Sequence, residues 1–408
     1  MKNIFNNLLF KVVCGILFGI ALGYYAPEWL YRILITFQVL FSNFLKFAIP
    51  LILMGLIMPS ISDLGKNAGR LLLITIGIAY AFTLFSGFST YLVGESLFPS
   101  LLQGEQLGAI VDKGKSLPPY FTIEMPPLAD VMSALLFSFI IGIGLSFREE
   151  SKLTEVIKEF GDIVKWLIVR AIIPILPIYI MCIFAEITFN GQVMAIMKVF
   201  FKLILVLFVM HIALLIIQYL IAGSIAGKNP FKALATMLPA YATALGTQSS
   251  AATIPVTLRQ ALKLGISQRI AGFVIPLCAT IHLSGSTMKI TACALALMML
   301  QGMPYDFSLF AGFIMMLGVV MIAAPGVPGG AIMAALGVLN SILGFNEAQQ
   351  GLMIALYIAM DSFGTACNVT GDGAVALIVD KCGENEVRAA QARRNERMRK
   401  LENEIIRE

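Results

Sequence analysis

The sequence predicts an all-α polytopic membrane protein with eight transmembrane helices and two re-entrant helical hairpins. Three observations support this fold class. The 408 residues are 58% hydrophobic and only 13% charged, about half the ~25% charged fraction of a soluble domain. Apolar runs long enough to cross a bilayer fill the first half of the chain. In the second half the apolar runs are short and are interrupted by Gly, Ser and Pro.

The first half contains six apolar runs of spanning length. They cover residues 9–25, 30–60, 69–97, 129–147, 160–188 and 193–224. The second, fifth and sixth runs exceed the length that a bilayer needs, so we expect those helices to be tilted. The polar, Pro-containing segment 98–128 has too few apolar residues to cross, and we expect it outside the membrane.

Basic residues near the ends of the runs predict the orientation in the membrane. They lie in alternate loops. This predicts a protein of the cell inner membrane with those loops and both termini on the cytoplasmic side. These residues are Lys66, Arg70, Arg148, Lys152, Lys228, Lys232 and Lys263. The net charge of +5 therefore reflects orientation rather than nucleic-acid binding. The charged tail, residues 384–408, alternates Glu and Arg as a solvated cytoplasmic helix does.

Two segments of the second half each contain two apolar pieces that are too short to span alone. Residues 230–264 are split by GTQSSAATIP (246–255), and residues 306–344 are split by APGVPGGA (324–331). Both segments are predicted to be re-entrant hairpins. Irregular backbone at membrane depth is tolerated only where it is buried in protein or lines a cavity. We therefore expect residues 246–255 and 324–331 to be buried in the protein or to line a cavity.

Each predicted hairpin is followed by a longer apolar run that is itself interrupted. The interruptions are ATIHLSGST (279–287) and GTACNVTGDG (364–373). A hairpin followed by a broken helix, occurring twice, is typical of transporters built from inverted repeats. Their binding sites form from the ends of half-helices and from unwound carbonyls.

The second interruption carries a polar helix face. Asp361, Thr365, Asn368 and Asp372 are spaced i, i+4, i+7 and i+11, which places all four on one side of a helix. An ionisable residue at bilayer depth costs about 2.5–3.5 kcal/mol, so two carboxylates are not expected to face lipid. We predict that this face lines an enclosed site for an ion or a small polar solute.

Three motifs at these interruptions resemble those of the dicarboxylate/amino acid:cation symporter family, the glutamate transporter family. They are SSAATIPVT (249–257), GVPGGAIM (326–333) and NVTGDG (368–373), in that order. The resemblance covers nearly the whole chain and implies a glutamate-transporter-like elevator fold and a homotrimer among membrane lipids.

The resemblance also implies two domains. The scaffold would comprise residues 1–68 (the first two spans) and 98–190 (an extracellular loop with the fourth and fifth spans). The transport domain would comprise residues 69–97 (the third span) and 191–383 (the sixth to eighth spans with both hairpins). In this family the transport domain carries the site across the bilayer.

The resemblance assigns roles to the polar face. Asp361 matches the residue that binds the substrate α-ammonium, and Thr365 matches a hydroxyl contact. Asn368 matches the residue that holds the α-carboxylate and adds a carbonyl to a Na⁺ site. Asp372 matches the carboxylate of that same site. Na⁺ is thus the implied coupled ion, and no organic cofactor is expected.

Other implied contacts come from the hairpin tips and the first helix break. Ser249 and Ser250 match the first tip, where free N–H groups can bind a carboxylate. Val327, Pro328 and Gly329 match the second tip, which acts as the gate. The backbone carbonyls of two further residues would complete the Na⁺ site: Cys278 and His282.

The chain departs from the family pattern at the first helix break. Ser284 stands where the family has a sodium-binding carboxylate, and His282 stands where it has an asparagine. At least one coupled sodium fewer is expected. His282 is either a hydrogen-bonded buried group or a proton site, since histidine titrates near neutral pH. The second hairpin tip is also one residue shorter than the family's usual form.

A further departure concerns substrate charge. Gly364 stands where members that carry acidic substrates have an arginine, which favours a neutral substrate because an unpaired second carboxylate would be desolvated. Lys289 leaves alternatives open. It could restore the positive charge for an acidic amino acid or C4-dicarboxylate, pair with Asp361 or Asp372 in place of a cation, or extend its ammonium towards the membrane surface.

The sequence therefore predicts a symporter that imports a small amino acid with Na⁺, and with a proton as the alternative ion. Neutral substrates are favoured over acidic ones. An open channel is disfavoured because two hairpins close over the site. An intramembrane aspartyl protease is excluded because its carboxylates must lie ~3 Å apart, whereas Asp361 and Asp372 are about 16 Å apart along one helix. We therefore expect a transporter, not an enzyme.

Overall fold

The computed structural model describes residues 8–66, 70–102, 117–148, 151–191 and 193–405, without the side chains of residues 63–66, 70, 132, 195 and 384–405. Within these ranges all regular secondary structure is helical, with no β-strand, and residues 117–130 are irregular. The helices of the first half are α1 (Leu8–Tyr25), α2 (Glu28–Lys66), α3 (Arg70–Leu101), α4 (Val131–Ser146), α5 (Lys152–Leu167), a π-helical turn (Ile168–Ile172), α6 (Ile173–Phe189) and α7 (Val193–Ala226).

The second half contains shorter helices arranged in pairs. They are α8 (Pro230–Thr247), α9 (Ser250–Lys263), α10 (Gln268–Ile281), α11 (Ser284–Leu300), α12 (Phe307–Ala323), α13 (Gly330–Ser341), α14 (Glu347–Ala359) and α15 (Asp361–Ile405). The predicted hairpins correspond to α8–α9 and α12–α13, whose partners pack against each other. The interrupted run at 279–287 corresponds to α10 and α11, which are separated by His282 and Leu283.

The described residues contain six helices that are long and apolar enough to cross a membrane, or seven if a bent pair counts as one. The six are Leu8–Tyr25, Glu28–Ser62, Leu71–Leu101, Lys152–Phe189, Ile196–Ala226 and Gln268–Leu300, and the bent pair is Glu347–Ala359 with Asp361–Gly383. The predicted fourth span is α4, which has 16 residues, fewer than the ~20 that usually span. The chain is thus an all-helical, multi-pass membrane protein.

The predicted interruption at 364–373 is wrong in position. The helix bends by 63° at Met360, and α15 runs without a break from Asp361. The glycines of this stretch serve close packing instead of ending the helix. A Cβ on Gly371 would lie 2.6 Å from Oε1 of Gln218.

Side-chain caps define where the paired helices begin. The Asn229 side chain accepts a hydrogen bond from the Lys232 amide at the start of α8, with Pro230 in the first helical position. Asp306 caps α12 in the same way. Asn346 and Gln349 form a reciprocal capping box that starts α14.

The helices pack in two groups. In the first group α2 packs against α4, α5 and α6, and α6 packs against α1; in the second, α3 and α7 pack with helices of the second half. The two groups meet where α2 contacts α12 and α13, where α4 contacts α13, where α1 and α6 contact α14, and where α6 contacts α7. The α10–α11 span is 94% buried in its most apolar window, whereas that of α1 is 28% buried. The broken span therefore lies at the centre of the protein, and α1 lies at its surface.

Candidate functional site

The two hairpin tips and the start of α15 meet in one place. Ser249, the N-cap of α9, donates its hydroxyl to the carbonyl of Gly326 in the second tip at 2.9 Å. Gln248 has a left-handed backbone (φ 54°), and its side-chain amide donates to the Ser362 hydroxyl at 2.8 Å. Ser250 is buried at the first turn of α9. The tips are thus tied to each other and to the bend before α15.

Asp361 lies at this junction and is 3% exposed. Its Oδ1 is 3.1 Å from Nζ of Lys289, and its Oδ2 accepts the backbone N–H of Gly329 at 2.9 Å. The Lys289 ammonium also lies 3.7 Å from the centre of the Tyr357 ring and 3.4 Å from the Met360 carbonyl. A carboxylate, a carbonyl and an aromatic face together stabilise a buried cation.

Gly364 provides the space that Lys289 occupies. A Cβ at residue 364 would lie 2.5 Å from the lysine Nζ. Lys289 is 0% exposed, so its ammonium does not reach the membrane surface. The sequence left open whether Lys289 pairs with Asp361 or with Asp372. In the structure it pairs with Asp361, next to Gly364.

Asn368 connects α15 to the break between α10 and α11. Its side-chain oxygen accepts the backbone N–H of Gly285 at 2.7 Å and that of Ser286 at 3.4 Å. Its amide nitrogen donates to the Ser286 hydroxyl at 3.0 Å, which in turn contacts the Tyr357 hydroxyl at 2.9 Å. Thr365, one turn earlier on the same face, is buried. This network fixes the start of α11 against α15.

Asp372 pairs with His282, the residue at the helix break. Oδ1 of Asp372 is 2.9 Å from Nδ1 of His282, and both side chains are almost completely buried. Because a carboxylate accepts, Nδ1 donates. Nε2 can then accept from the Gln218 amide, 3.3 Å away. The same amide is 3.3 Å from the Ser284 hydroxyl. The position without the family's carboxylate is thus filled by a polar, hydrogen-bonded cluster.

The oxygen atoms around this cluster suit a hard monovalent cation. The Cys278 carbonyl accepts the His282 N–H at 2.9 Å, which uses one of its two lone pairs. Oε1 of Gln218 is among the buried side-chain oxygens of the described residues that have no hydrogen-bond partner in the protein, and it lies close to the His282 ring. This oxygen is available to a ligand.

Comparison with known proteins identifies the family. The model of the sodium:dicarboxylate symporter family matches residues 8–382. The chain belongs to this family. Serine/threonine transporters SstT of Acinetobacter baumannii, from strains AYE and AB307-0294, are each 28% identical to it over 405 residues, covering 92% of this chain and 96% of the relative.

Membership in the sodium:dicarboxylate symporter family confirms that the protein is a transporter and not an enzyme. It also supports a cation-coupled symporter of an amino acid or dicarboxylate, with sodium as the coupled ion. The resemblance based on the three short motifs is thereby confirmed.

Several site residues of this symporter were not predicted from the sequence. Gln218 could have been found, because it is a lone amide in the apolar stretch LLIIQYL of α7. Tyr357 and Ser286 gave no comparable signal, since a tyrosine in an apolar run and a serine after a glycine are common in packed helices. Their role depends on the bend at Met360 that turns α14 towards α11.

Gly285→Ala is expected to destabilise the symporter by about 1–3 kcal/mol, the usual cost of overpacking. A Cβ there would lie 2.7 Å from the Gly364 carbonyl and 2.8 Å from Cβ of Cys367, neither of which can rotate away. The measurement is thermal unfolding of the purified protein. Gly272→Ala is the matched control, because its Cβ would meet open space on α10. Equal melting temperatures for the two variants would contradict the packing argument.

Proposed function

We propose that the protein is a secondary active symporter that imports a small neutral amino acid together with Na⁺ across the inner membrane. The observation that carries the proposal is the convergence of both hairpin tips on the start of α15: Ser249 bonds the Gly326 carbonyl, Gln248 bonds Ser362 and Gly329 bonds Asp361. This junction of the two tips with the start of α15, called the chamber below, offers an acid, the N-terminus of α9 and a tip that would open. Curated relatives of the chain are named serine/threonine transporters, which supports a neutral substrate.

The chamber offers complementary groups for both ends of an amino acid. The α-carboxylate would bind at the N-terminus of α9, where Ser249 and Ser250 begin the helix and its dipole favours an anion. Asn368 would add a hydrogen bond to it. The α-ammonium would bind Asp361, with the Thr365 hydroxyl beside it. The tip residues Val327, Pro328 and Gly329 would then close over the substrate.

Charge balance favours a neutral side chain. Gly364 contributes no cation, and the Lys289 ammonium is already paired with Asp361. A second substrate carboxylate would lack a partner, which is unfavourable in a buried site. The alternative substrate is an acidic amino acid or a C4-dicarboxylate, with Lys289 as the side-chain counter-charge. It would require the ammonium to leave Asp361 for the second carboxylate of the substrate.

The coupled ion would bind near Asp372. Its ligands would be this carboxylate and the backbone carbonyls of Cys278, His282 and Asn368. The unpartnered oxygen of Gln218 lies close by, since a Cβ on Gly371 would be 2.6 Å from this oxygen and 2.6 Å from Cε1 of His282. The hydrogen bond between His282 and Asp372 favours a proton as the second candidate ion.

Movement would follow the family's elevator mechanism. Residues 1–68 and 98–190 would form the scaffold of a homotrimer, and residues 69–97 and 191–383 would carry the site across the membrane. The packing of α1, α2, α4, α5 and α6 as one group, apart from α3 and α7–α15, supports this division. Both termini would be cytoplasmic.

A thermal-shift screen of the purified protein tests the substrate and the ion together. The ligands are the twenty amino acids and several C4-dicarboxylates, each with and without Na⁺. Serine, threonine and alanine are expected to raise the melting temperature, and only when Na⁺ is present. A ligand at 100 times its Kd raises the free energy of unfolding by about 2.7 kcal/mol. Stabilisation by dicarboxylates alone would support the alternative substrate.

Uptake into proteoliposomes then distinguishes a transporter from a channel. Accumulation of the amino acid should saturate and should need an inward Na⁺ gradient. Uptake driven by a pH gradient without Na⁺ would identify the proton as the coupled ion. Ohmic current without saturation would contradict the symporter.

A further inference from the structure

The carboxylate of Asp361 links the second hairpin tip to α15. Its Oδ2 accepts the N–H of Gly329, which has a left-handed backbone (φ 74°) and caps α13. In this arrangement Asp361 is 3% exposed. The contact that holds the tip against α15 therefore also removes a carboxylate from water.

A carboxylate in this position needs a positive partner, because burying an unpaired charge is strongly unfavourable. In an amino-acid symporter the obvious partner is the substrate's own ammonium. This chain supplies another one, since Lys289 lies 3.1 Å from the other oxygen of Asp361. The pair is neutral as a whole, so the tip can lie against Asp361 without leaving a net charge there.

The position for the lysine ammonium is built in detail. Nζ of Lys289 is 3.7 Å from the centre of the Tyr357 ring and 3.4 Å from the Met360 carbonyl. The absence of a side chain at Gly364 leaves the volume that Nζ occupies. One cation position next to the gate is thus shaped by Tyr357 of α14, Met360 at the bend, and Asp361 and Gly364 of α15, and Lys289 of α11 fills it.

We propose that Lys289 is a built-in counter-cation that allows the second hairpin tip to close on Asp361 when no substrate is bound. The inference rests on the proposed function and extends it to the return half of the cycle. With the charge of Asp361 compensated internally, the substrate-free transport domain can cross the membrane. Net uptake then does not depend on exchange for substrate from the other side. An incoming α-ammonium shares Asp361 with Lys289, whose ammonium keeps the Tyr357 ring and the Met360 carbonyl as further partners.

Net uptake and exchange measured side by side test this role. Lys289→Met is reconstituted in proteoliposomes. Uptake of labelled amino acid into substrate-free vesicles is expected to fall at least ~10-fold (about 1.4 kcal/mol). Exchange in vesicles preloaded with the same amino acid should fall much less, because the substrate ammonium then compensates Asp361 whenever the tip closes. Net uptake requires the transport domain to return across the membrane without substrate, whereas exchange does not.

Lys202→Met is the matched control, because it removes a half-buried lysine outside the chamber that bonds the Leu101 carbonyl. It should change the two rates equally or not at all. For Lys289→Met, a parallel loss of net uptake and exchange would overturn the proposal, as would native rates of both. A fall in net uptake that clearly exceeds the fall in exchange supports it.

Hydrogen exchange of the tip gives a readout that does not depend on transport. The protein is measured in lipid nanodiscs without amino acid. In Lys289→Met, exchange of the peptide that covers residues 326–330 is expected to rise at least ~10-fold (about 1.4 kcal/mol). In the double variant Lys289→Met/Asp361→Asn, which leaves no unpaired charge, it should return to within about threefold of native.

Native exchange in Lys289→Met, or equally fast exchange in the single and double variants, would overturn the proposal. This measurement also separates the two proposals. If the native protein transports none of the amino acids tested, the proposed substrate is wrong, yet tip exchange still decides the role of Lys289.

Discussion

Asp361→Ala is expected to abolish amino-acid uptake, with a loss of at least ~100-fold (about 2.7 kcal/mol). The variant removes the group proposed to bind the α-ammonium. It also leaves the Lys289 ammonium buried without its carboxylate, 0% exposed and with only a carbonyl and a ring as partners. Breaking a buried pair in this way costs about 3–5 kcal/mol. Uptake and thermal unfolding are measured on the same preparation.

The double variant Asp361→Ala/Lys289→Met separates the two effects. It removes both charges, so most of the lost stability should return, because no unpaired buried charge remains. Uptake should stay absent, since the ammonium site is still missing. Near-normal uptake of an amino acid by Asp361→Ala would show that the α-ammonium assignment is wrong.

The positions of the hairpins and of the first helix break could be predicted from the sequence. Polar and Gly-rich strings, such as SGS within residues 279–287, interrupt stretches that are otherwise apolar. The backbone groups freed there must be buried in protein or line a cavity. The structure places the break at His282 and Leu283, inside the predicted interruption. Local composition was sufficient at this point.

The second break could not be placed from composition alone. Glycine can end a helix, but it also allows two helices to approach closely, and the sequence does not distinguish these two uses. In 364–373 the structure shows the second use, with Gly364 and Gly371 facing side chains of neighbouring helices. The bend occurs instead at Met360, in a run that looks continuous.

The partner of Lys289 also could not be predicted from the sequence. A lysine side chain can reach over more than a helical turn, so Asp361, Asp372 and the membrane surface were all within its range from the α11 position. The choice depends on how α11 packs against α15 and on the volume left by Gly364. Tertiary packing, not local pattern, decides which buried charges pair.

Asp372→Asn is expected to abolish the sodium dependence of uptake and of thermal stability. Asparagine keeps the size of the side chain but removes the formal negative charge proposed to hold the cation. Na⁺ affinity should fall by at least ~10-fold, or about 1.4 kcal/mol. A Na⁺ titration followed by thermal shift measures this loss without requiring transport. The side-chain oxygen of the asparagine can accept the same hydrogen bond from Nδ1 of His282, so the fold should be retained.

Asp380→Asn is the matched control because Asp380 lies on the same helix and is also hydrogen-bonded, to the amide and hydroxyl of Ser267. It is two turns beyond Asp372, outside the cluster around His282, so its Na⁺ titration should match that of the native protein. Full sodium dependence in Asp372→Asn would place the cation elsewhere. Loss of sodium dependence in both variants would show that the response reflects the charge of α15 as a whole. Only a loss confined to Asp372→Asn supports a sodium site built on this carboxylate.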